Sequence, residues 1–408
     1  MAVPKLRFPG FEDDWNQVKL SEISSIKNGP FGSVLHAEDY VEEGTPIITS
    51  EHFRDGAIRK YSSDMPQVSE EDYERLQGYV MREGDILYSR VGLIDTNALV
   101  TNDNDGWLFS GRVLRVRPTV QLDSEFLHHA LSTEWVIKSI KDRAVGSTMP
   151  SINMVILGET SIRMPSYEEQ TKIANLLTQI DTVISSCEAE LEKTKTYKTG
   201  LLQKMFPKEG KDVPEIRFPG FEGKWERKRL GEVLERYEDP VEIPHNGYER
   251  IGIRSHAKGV FHSYVEPGKE LETGKMHRVE GNKFIVNITF AWEHAVAVTD
   301  VSDAGCLVSH RFPQFSFRDT LNPSFFRYII VDERFRRHLE LSSPGGAGRN
   351  RVLKIDEMLK YSTCIPVIEE QIAIGTFFQN LDNLISLYQK ELDNWKRLKK
   401  GLLQQMFV

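Results

Sequence analysis

Residues 168–206 read EEQTKIANLLTQIDTVISSCEAELEKTKTYKTGLLQKMF, and residues 369–407 read EEQIAIGTFFQNLDNLISLYQKELDNWKRLKKGLLQQMF. The two segments align without a gap at an offset of 201 positions. In the first, Ile173, Leu177, Ile180, Ile184, Cys187 and Leu191 recur every four and then three residues. In the second, Ile374, Phe378, Leu381, Ile385, Tyr388, Leu392 and Trp395 keep the same register. An apolar seam with a period of 3.5 is the mark of helices that wind on one another. Pro165 and Pro366 lie just upstream, where proline is compatible with a helix start, and the Glu-Glu pairs suit the positive end of the helix dipole. At ~1.5 Å per residue each helix is expected to run roughly 58 Å. Two unrelated amphipathic helices would have no reason to share an ungapped register. Gly200 and Gly401 interrupt both helices at the same point, which predicts a close crossing or a helix end there.

A second repeat lies upstream of each helix. RFPGF occupies 7–11 and again 217–221, each copy followed by a Trp (Trp15, Trp225) and a Leu (Leu20, Leu230). The chain is thus a tandem repeat of globule plus helix: globules at 1–165 and 211–366, helices at 166–210 and 367–408. The globules differ in sequence and are mixed in character. GTPIITSEHF (44–53), GDILYSRVG (84–92) and FSGRVLRVRP (109–118) are short β-type runs bounded by glycine or proline, and NKFIVNITFAWEHAVAVT (282–299) is a long one. Helices are expected near 124–141 and 324–340, where apolar residues return to a 3–4 spacing. Strands and helices do not alternate regularly, so the fold class is α+β rather than a doubly wound sheet. Antiparallel pairing of the two helices would give the repeat a pseudo-twofold axis and turn the globules in opposite directions.

The chain has 408 residues, more than one ordinary core accommodates. No apolar run approaches the ~20 residues that span a bilayer, and the N-terminus lacks a basic-then-apolar signal pattern, so a cytoplasmic location is expected. The three cysteines, Cys187, Cys306 and Cys364, are far apart and form no CxxC, which argues against a zinc site or a disulfide framework. The formal net charge is −8. Residues 1–165 carry 17 Lys and Arg against 25 Asp and Glu, whereas residues 211–366 carry 24 against 23 and seven of the eleven histidines. Any DNA contact must therefore use local patches or a partner's charge.

Together these features resemble the specificity subunit of type I restriction–modification enzymes over essentially the whole chain. The resemblance rests on two variable globules, two matched helices opening with EEQ, and the GLLQKMF and GLLQQMF endings. It extends to the loops GSTMPSIN (146–153) and GGAGRNRV (345–352) upstream of the helices. It implies a DNA-reading adaptor without catalysis of its own, each globule being a target recognition domain for one half of a split sequence. It implies that the helices pair as an antiparallel coiled coil, both spacer and dock for two modification subunits, which bind S-adenosylmethionine and methylate adenine. Restriction subunits would add ATP- and Mg-dependent translocation and cleavage, leaving no cofactor or metal on this chain. Half-sites about one helical turn apart (~34 Å) would suit such a spacer. Because the globules differ, the double-stranded target should be asymmetric.

Candidate DNA-contacting residues follow from side-chain chemistry. NGPFGS (28–33) is a turn-rich loop whose glycines would let backbone approach a phosphate. Arg54, Arg90 and Arg112 sit at the ends of β-type runs, where a guanidinium can reach a guanine edge, and Ser147 and Thr148 are candidate phosphate ligands. In the second globule Tyr248, Arg250, Arg254, His256 and Lys258 form a basic and aromatic cluster. Trp292, His294, His310 and Arg311 lie on or beside the long β-type segment, and Arg349, Asn350 and Arg351 follow the turn PGGAG. His294 and His310 have no third metal ligand at suitable spacing and read as polar contacts or core histidines.

Asn322-Pro323-Ser324-Phe325 looks like the motif with which adenine methyltransferases hold a flipped base. At an offset of 199 it aligns with Asp123-Ser124-Glu125-Phe126. Asn and Asp are N-cap residues and proline favours the first helical position, so the expectation is a pair of helix caps. No S-adenosylmethionine glycine loop, Walker A run, HExxH or GxSxG is present in the sequence. A stand-alone DNA-modifying enzyme and a coiled-coil scaffold without a DNA role are the alternatives. RFPGF is identical in globules that otherwise differ, so it cannot carry their differing specificities. Its expected job is to tie the start of each globule to a helix or to a modification subunit.

Overall fold

The computed structural model describes residues 3–30, 34–54, 56–270, 275–345 and 351–407. The chain divides into two units, the first made of Met1–Glu188 and Lys390–Val408, the second of Ala189–Gln389. Two 39-residue helices run through this division, Tyr167–Met205 and Ile368–Met406. Each unit thus contains one globule, the first half of the helix that follows it, and the last half of the other helix.

In the first unit Asn16–Lys19 pairs antiparallel with Ser161–Met164, closing the globule where the long helix begins. An antiparallel four-stranded sheet runs in the order Ser24–Asn28, Val113–Pro118, Ile86–Ser89, Asn97–Leu99. A second four-stranded sheet runs Leu108–Phe109, Thr45–Ile48, Gln67–Val68, Tyr40–Val41. The second unit repeats the plan. Glu226–Arg229 pairs with Ser362–Ile365, and a four-stranded sheet runs Leu234–Tyr237, Gln314–Phe317, Phe284–Val286, Val296–Val298. A five-stranded sheet adds Pro240–Val241, Met276–Arg278, Leu307–Ser309, Tyr248–Ile253 and Val260–Val265 in that order. The fold is α+β.

Three sequence expectations are corrected. The stretch 282–299 is a hairpin of two three-residue strands, turned by a 3-10 segment Ala291–Glu293 and by His294 in the left-handed region at φ 63°. Each expected helix near 124–141 and 324–340 is two: Ser124–Leu131 and Glu134–Lys141, then Pro323–Ile329 and Glu333–Leu341. The breaks are capped locally, the Thr133 hydroxyl donating to the Ala130 carbonyl (2.7 Å) and Asp332 accepting from Arg334 N (2.7 Å). Finally, the helices neither end nor cross at Gly200 and Gly401, where an added Cβ would meet nothing within 4 Å. The close crossing is at Gly375, where a Cβ would lie 2.2 Å from Ser324 Oγ and 2.9 Å from Phe325 N.

The repeated motifs form one joint in each unit. Arg7 donates to both carboxylate oxygens of Glu169 (2.8 and 2.9 Å), and Arg217 to both of Glu370 (2.7 and 2.7 Å). The glutamine of EEQ spans two partners. The Gln170 amide donates to Pro165 O and its oxygen accepts from Asp123 N; Gln371 does the same with Pro366 O and Asn322 N. Asp123 and Asn322 are indeed N-caps, accepting from Phe126 N and Ser324 N. The far end of the other helix completes the joint. Phe407 stacks on Phe126 at 5.3 Å and meets Trp15 edge-on, as Phe206 stacks on Phe325 at 5.3 Å and meets Trp225. Leu6 N bonds Gln405 O, and Ile216 N bonds Lys204 O. RFPGF and EEQ are thus the two faces of a structural clamp.

Within each unit the helical segments run antiparallel. In the first, Lys399 pairs with Asp181 and Lys396 with Glu188, so numbers rise on one segment as they fall on the other. In the second, Lys198 pairs with Asp382 while Phe206 lies beside Phe378. Ile173, Leu177, Ile180, Ile184, Leu191, Ile374, Phe378 and Leu392 are buried, whereas Leu381 and Ile385 are half-buried. Ile173 and Leu177 join the core of the first globule, and Ile374 and Phe378 that of the second, so the seam's opening turns serve globule and helix pair alike.

His128 and His129 lie beneath the first joint, almost fully buried. His128 Nδ1 is 2.6 Å from Asn97 Oδ1, and burial, with a smaller effect from Lys399, pushes its pKa down to about 3. Burial lowers His129 as well, helped by His128 and Lys399. A depressed histidine pKa means that the unfolded chain takes up a proton below pH ~6.5 that the folded chain refuses until pH ~3. Stability is therefore complete above that window and falls within it by roughly 1.4 kcal/mol per pH unit for each such group. Asp181, whose pKa burial raises, acts in the opposite sense, so the measurement is a difference. Urea unfolding at about pH 7.5 and about pH 5 should show His128→Gln escaping ~2 kcal/mol of the acid loss suffered by the unaltered chain. Equal losses would mean that His128 is not held neutral.

Candidate nucleic-acid interface

In the first unit Arg90 follows strand Ile86–Ser89, and three segments meet at its backbone. Arg90 N donates to Arg112 O (3.0 Å) and Ile152 N donates to Arg90 O (2.9 Å). The Arg90 guanidinium reaches Gly111 O at 3.0 Å. Arg112 is exposed, and among the described residues its guanidinium has no hydrogen-bond or ion-pair partner. Both arginines line a cleft of 490 Å³ with Thr49, Ser50, Glu51 and Ser110. Beside it the hairpin 145–151 projects, closed by reciprocal Val145–Ser151 backbone bonds (2.9 Å each), with Ser147 and Thr148 exposed at its tip. Gly92 N donates to Pro150 O, fixing that hairpin next to the Arg90 strand. Arg90, Arg112, Ser147 and Thr148 thus share one edge.

The same junction recurs in the second unit. Ile288 N donates to Arg311 O (3.0 Å), and Leu353 N donates to Ile288 O (2.9 Å). Val113 N bonds Ser110 O as Phe312 N bonds Ser309 O. Arg311 therefore occupies the position of Arg112, and it too is exposed and without a side-chain partner among the described residues. The segment entering Leu353 carries Arg351, whose guanidinium lies over the Trp292 ring at 5.4 Å and 3.9 Å from Glu340. Trp292 is itself held by its indole N–H on Thr289 O (3.1 Å). Beside Trp292, the hairpin turn after strand Tyr248–Ile253 is tethered to the 3-10 segment. His256 N donates to Glu293 O, Ala257 N to His294 O, and Ser255 Oγ to Glu293 Oε2. His256 and Ala257 take left-handed φ of 61° and 50° there, and Arg254, His256 and Lys258 are exposed. Arg254 donates to Val260 O and lies over the Phe261 ring at 5.4 Å. Cations and an aromatic plane presented together suit phosphate and base contact, since guanidinium binds phosphate or a guanine edge and aromatics stack on bases.

Residues 12–195 match the family described as type I restriction modification DNA specificity domain. The type I restriction enzyme MjaVIII specificity subunit of Methanocaldococcus jannaschii is 22% identical over 425 residues, covering 99% of this chain and 93% of that relative. The putative type I restriction enzyme MjaX specificity subunit of the same organism is 25% identical over 427 residues, covering 97% and 93%. The fold matches the crystal structure of a type I restriction-modification system S subunit from M. genitalium with a TM-score of 0.64 at 14% identity, covering 100% of this chain and 99% of that one. Along nearly its whole length the chain is similar to type I restriction enzyme specificity subunits.

Not every expected residue lies on these exposed surfaces. Tyr248 is 6% exposed and packs with Val265, Met276 and Leu307, so it is a core residue. His294 is 4% exposed and its Nε2 lies 2.6 Å from Ile330 O; burial lowers its pKa, and it is a satisfied core histidine. Arg250 is half-buried, its Nε donating to Ser263 Oγ (3.0 Å) across the strand pair. Gly29 of NGPFGS is closely packed, a Cβ there falling 2.0 Å from Ser110 O, and residues 31–33 of that loop lie outside the described residues. His310 is exposed beside Arg311. The Arg54 side chain, Arg349 and Asn350 lie outside the described residues. The equivalence of Arg112 and Arg311 escaped the sequence reading, although Ser110-Gly-Arg and Ser309-His-Arg align at the same offset of 199 that relates the two N-caps.

Proposed function

We propose that the subunit reads a split, asymmetric double-stranded DNA sequence. The first half-site is read by the Arg90–Arg112 edge, the second by the Arg254–His256–Lys258 turn with Trp292, Arg311 and Arg351. The observation that carries this is an exposed arginine, without a side-chain partner among the described residues, at the same backbone junction of both globules, which otherwise differ in sequence. A shared position suits a shared task on the duplex, and differing neighbours suit differing bases. The chain recognises DNA and leaves methyl transfer to two modification subunits docked on its helices. The helices offer them apolar side chains, Leu387 being 63% exposed and Tyr197 and Leu398, equivalent at the offset of 201, 56% and 46%. S-adenosylmethionine, ATP and Mg²⁺ belong to the modification and restriction subunits. No helix among the described residues is long and apolar enough to cross a membrane, and the assembly works on DNA in the cytoplasm.

Two substitutions test the division of labour. With modification subunits bound, selection from randomised duplexes should return a target degenerate in one half for Arg112→Ala and in the other half for Arg311→Ala. Each lost base contact should cost about 1–3 kcal/mol of discrimination. Degeneracy in both halves from either change would overturn the assignment.

A further inference from the structure

The second globule gathers a thiol, an imidazole and a carboxylate from three strands' edges. Glu249 lies on Tyr248–Ile253, His262 on Val260–Val265, and Cys306 just ahead of Leu307–Ser309. Cys306 Sγ is 3.7 Å from His262 Nδ1 and 3.9 Å from Glu249 Oε2, and the three donor atoms lie within 4.8 Å of one another. For zinc bonds of about 2.3 Å to sulfur and about 2.0–2.2 Å to nitrogen and oxygen, a tetrahedron has ligand–ligand edges of roughly 3.5 Å. The triad already stands within a few tenths of an ångström of that frame along both sulfur edges. The outer contacts agree. Asp303, with its side chain 3% exposed, stands 2.7 Å from His262 Nε2 and also accepts Asp300 N, so its carboxylate is fixed. That bond puts the histidine proton on Nε2 and aims the Nδ1 lone pair at Cys306 and Glu249, the carboxylate–histidine arrangement that orients metal ligands. Without a cation, a buried sulfur and two carboxylates crowd one imidazole with no basic side chain bonded to any of them among the described residues.

We propose that Glu249, His262 and Cys306 bind one Zn²⁺, with Asp303 orienting His262 and water completing the fourth position. The mixed sulfur, nitrogen and oxygen donor set suits zinc rather than magnesium or calcium, which take oxygen ligands. The ion ties the hairpin 248–265, whose turn carries Arg254, His256 and Lys258, to the segment 301–306. It is a structural clamp under an exposed loop, and it stands whether or not that loop touches DNA.

The test uses the full chain stripped of metal and titrated with Co²⁺ as a spectroscopic stand-in for Zn²⁺. One equivalent should produce a near-ultraviolet thiolate-to-cobalt charge-transfer band that Zn²⁺ abolishes. Cys306→Ser should remove the band and Cys364→Ser should keep it, while Asp303→Asn should weaken binding roughly 10–100-fold. If Cys306→Ser fails to fold, as circular dichroism would show, Glu249→Gln on an exposed side chain is the second variant and should weaken Co²⁺ binding with the band retained. No band in the unaltered chain, a band surviving Cys306→Ser, or undiminished binding by Glu249→Gln would overturn the proposal.

Discussion

Phe407→Ala should destabilise the first unit by about 3–5 kcal/mol, the usual cost of truncating a buried phenylalanine. Phe407 is 7% exposed, stacked on Phe126 and edge-on to Trp15, in a core that also holds Leu20, Ile173 and Leu177. The neighbours belong to a strand-flanking loop and three helices, so they cannot collapse into the void without moving backbone. Because Leu6 N also bonds Gln405 O, loosening the helix end should release the N-terminal strap as well. Hydrogen exchange resolved by peptide is the measurement. Protection should fall across 5–20, 123–131 and 400–407, while the second globule's strands keep theirs. Unchanged protection around Trp15 would show that the helix end is not part of that core.

Arg217→Ala should cost the second unit about 3–5 kcal/mol, because it strands a buried charge. The Glu370 side chain is wholly buried and Arg217 is 15% exposed, joined by two bonds of 2.7 Å. Bidentate geometry is the strong form of this contact, and removing one partner leaves the other's desolvation uncompensated. The double variant Arg217→Ala with Glu370→Gln should therefore recover much of the loss. Denaturant unfolding of the single and double variants decides it: a double variant as unstable as the sum of the singles would mean that the two side chains act independently.

The sequence disclosed this joint because both of its halves are written twice. RFPGF and EEQ stand at fixed offsets, and identity between otherwise divergent globules left a structural task as the reading. Helix periodicity was equally plain, since a heptad seam is a local signal repeated over many turns. The β elements were harder. The stretch 282–299 is apolar throughout, and only the left-handed His294 and the Ala291–Glu293 turn, invisible to an alternation pattern, break it into a hairpin. Among the candidate DNA-contacting residues, the expected exposure was legible for Arg112, Ser147, Thr148 and Arg311. Burial of Tyr248 and His294 was not, because each depends on partners remote in sequence, Met276 and Leu307 for one and Ile330 for the other. The Glu249, His262 and Cys306 cluster was illegible for the same reason. Its ligands come from separate strands at spacings that match no short motif, and so the scattered cysteines read as evidence against zinc.

Single-molecule methylome sequencing of cells expressing this chain with its modification subunits tests the DNA-reading role most directly. One motif should emerge, with two dissimilar specified half-sites separated by an unspecified spacer and an adenine modified in each half. Its absence from cells lacking the chain would complete the result. Adenine methylation in one continuous or palindromic motif, or a pattern indifferent to the chain, would contradict two half-site readers joined in one polypeptide.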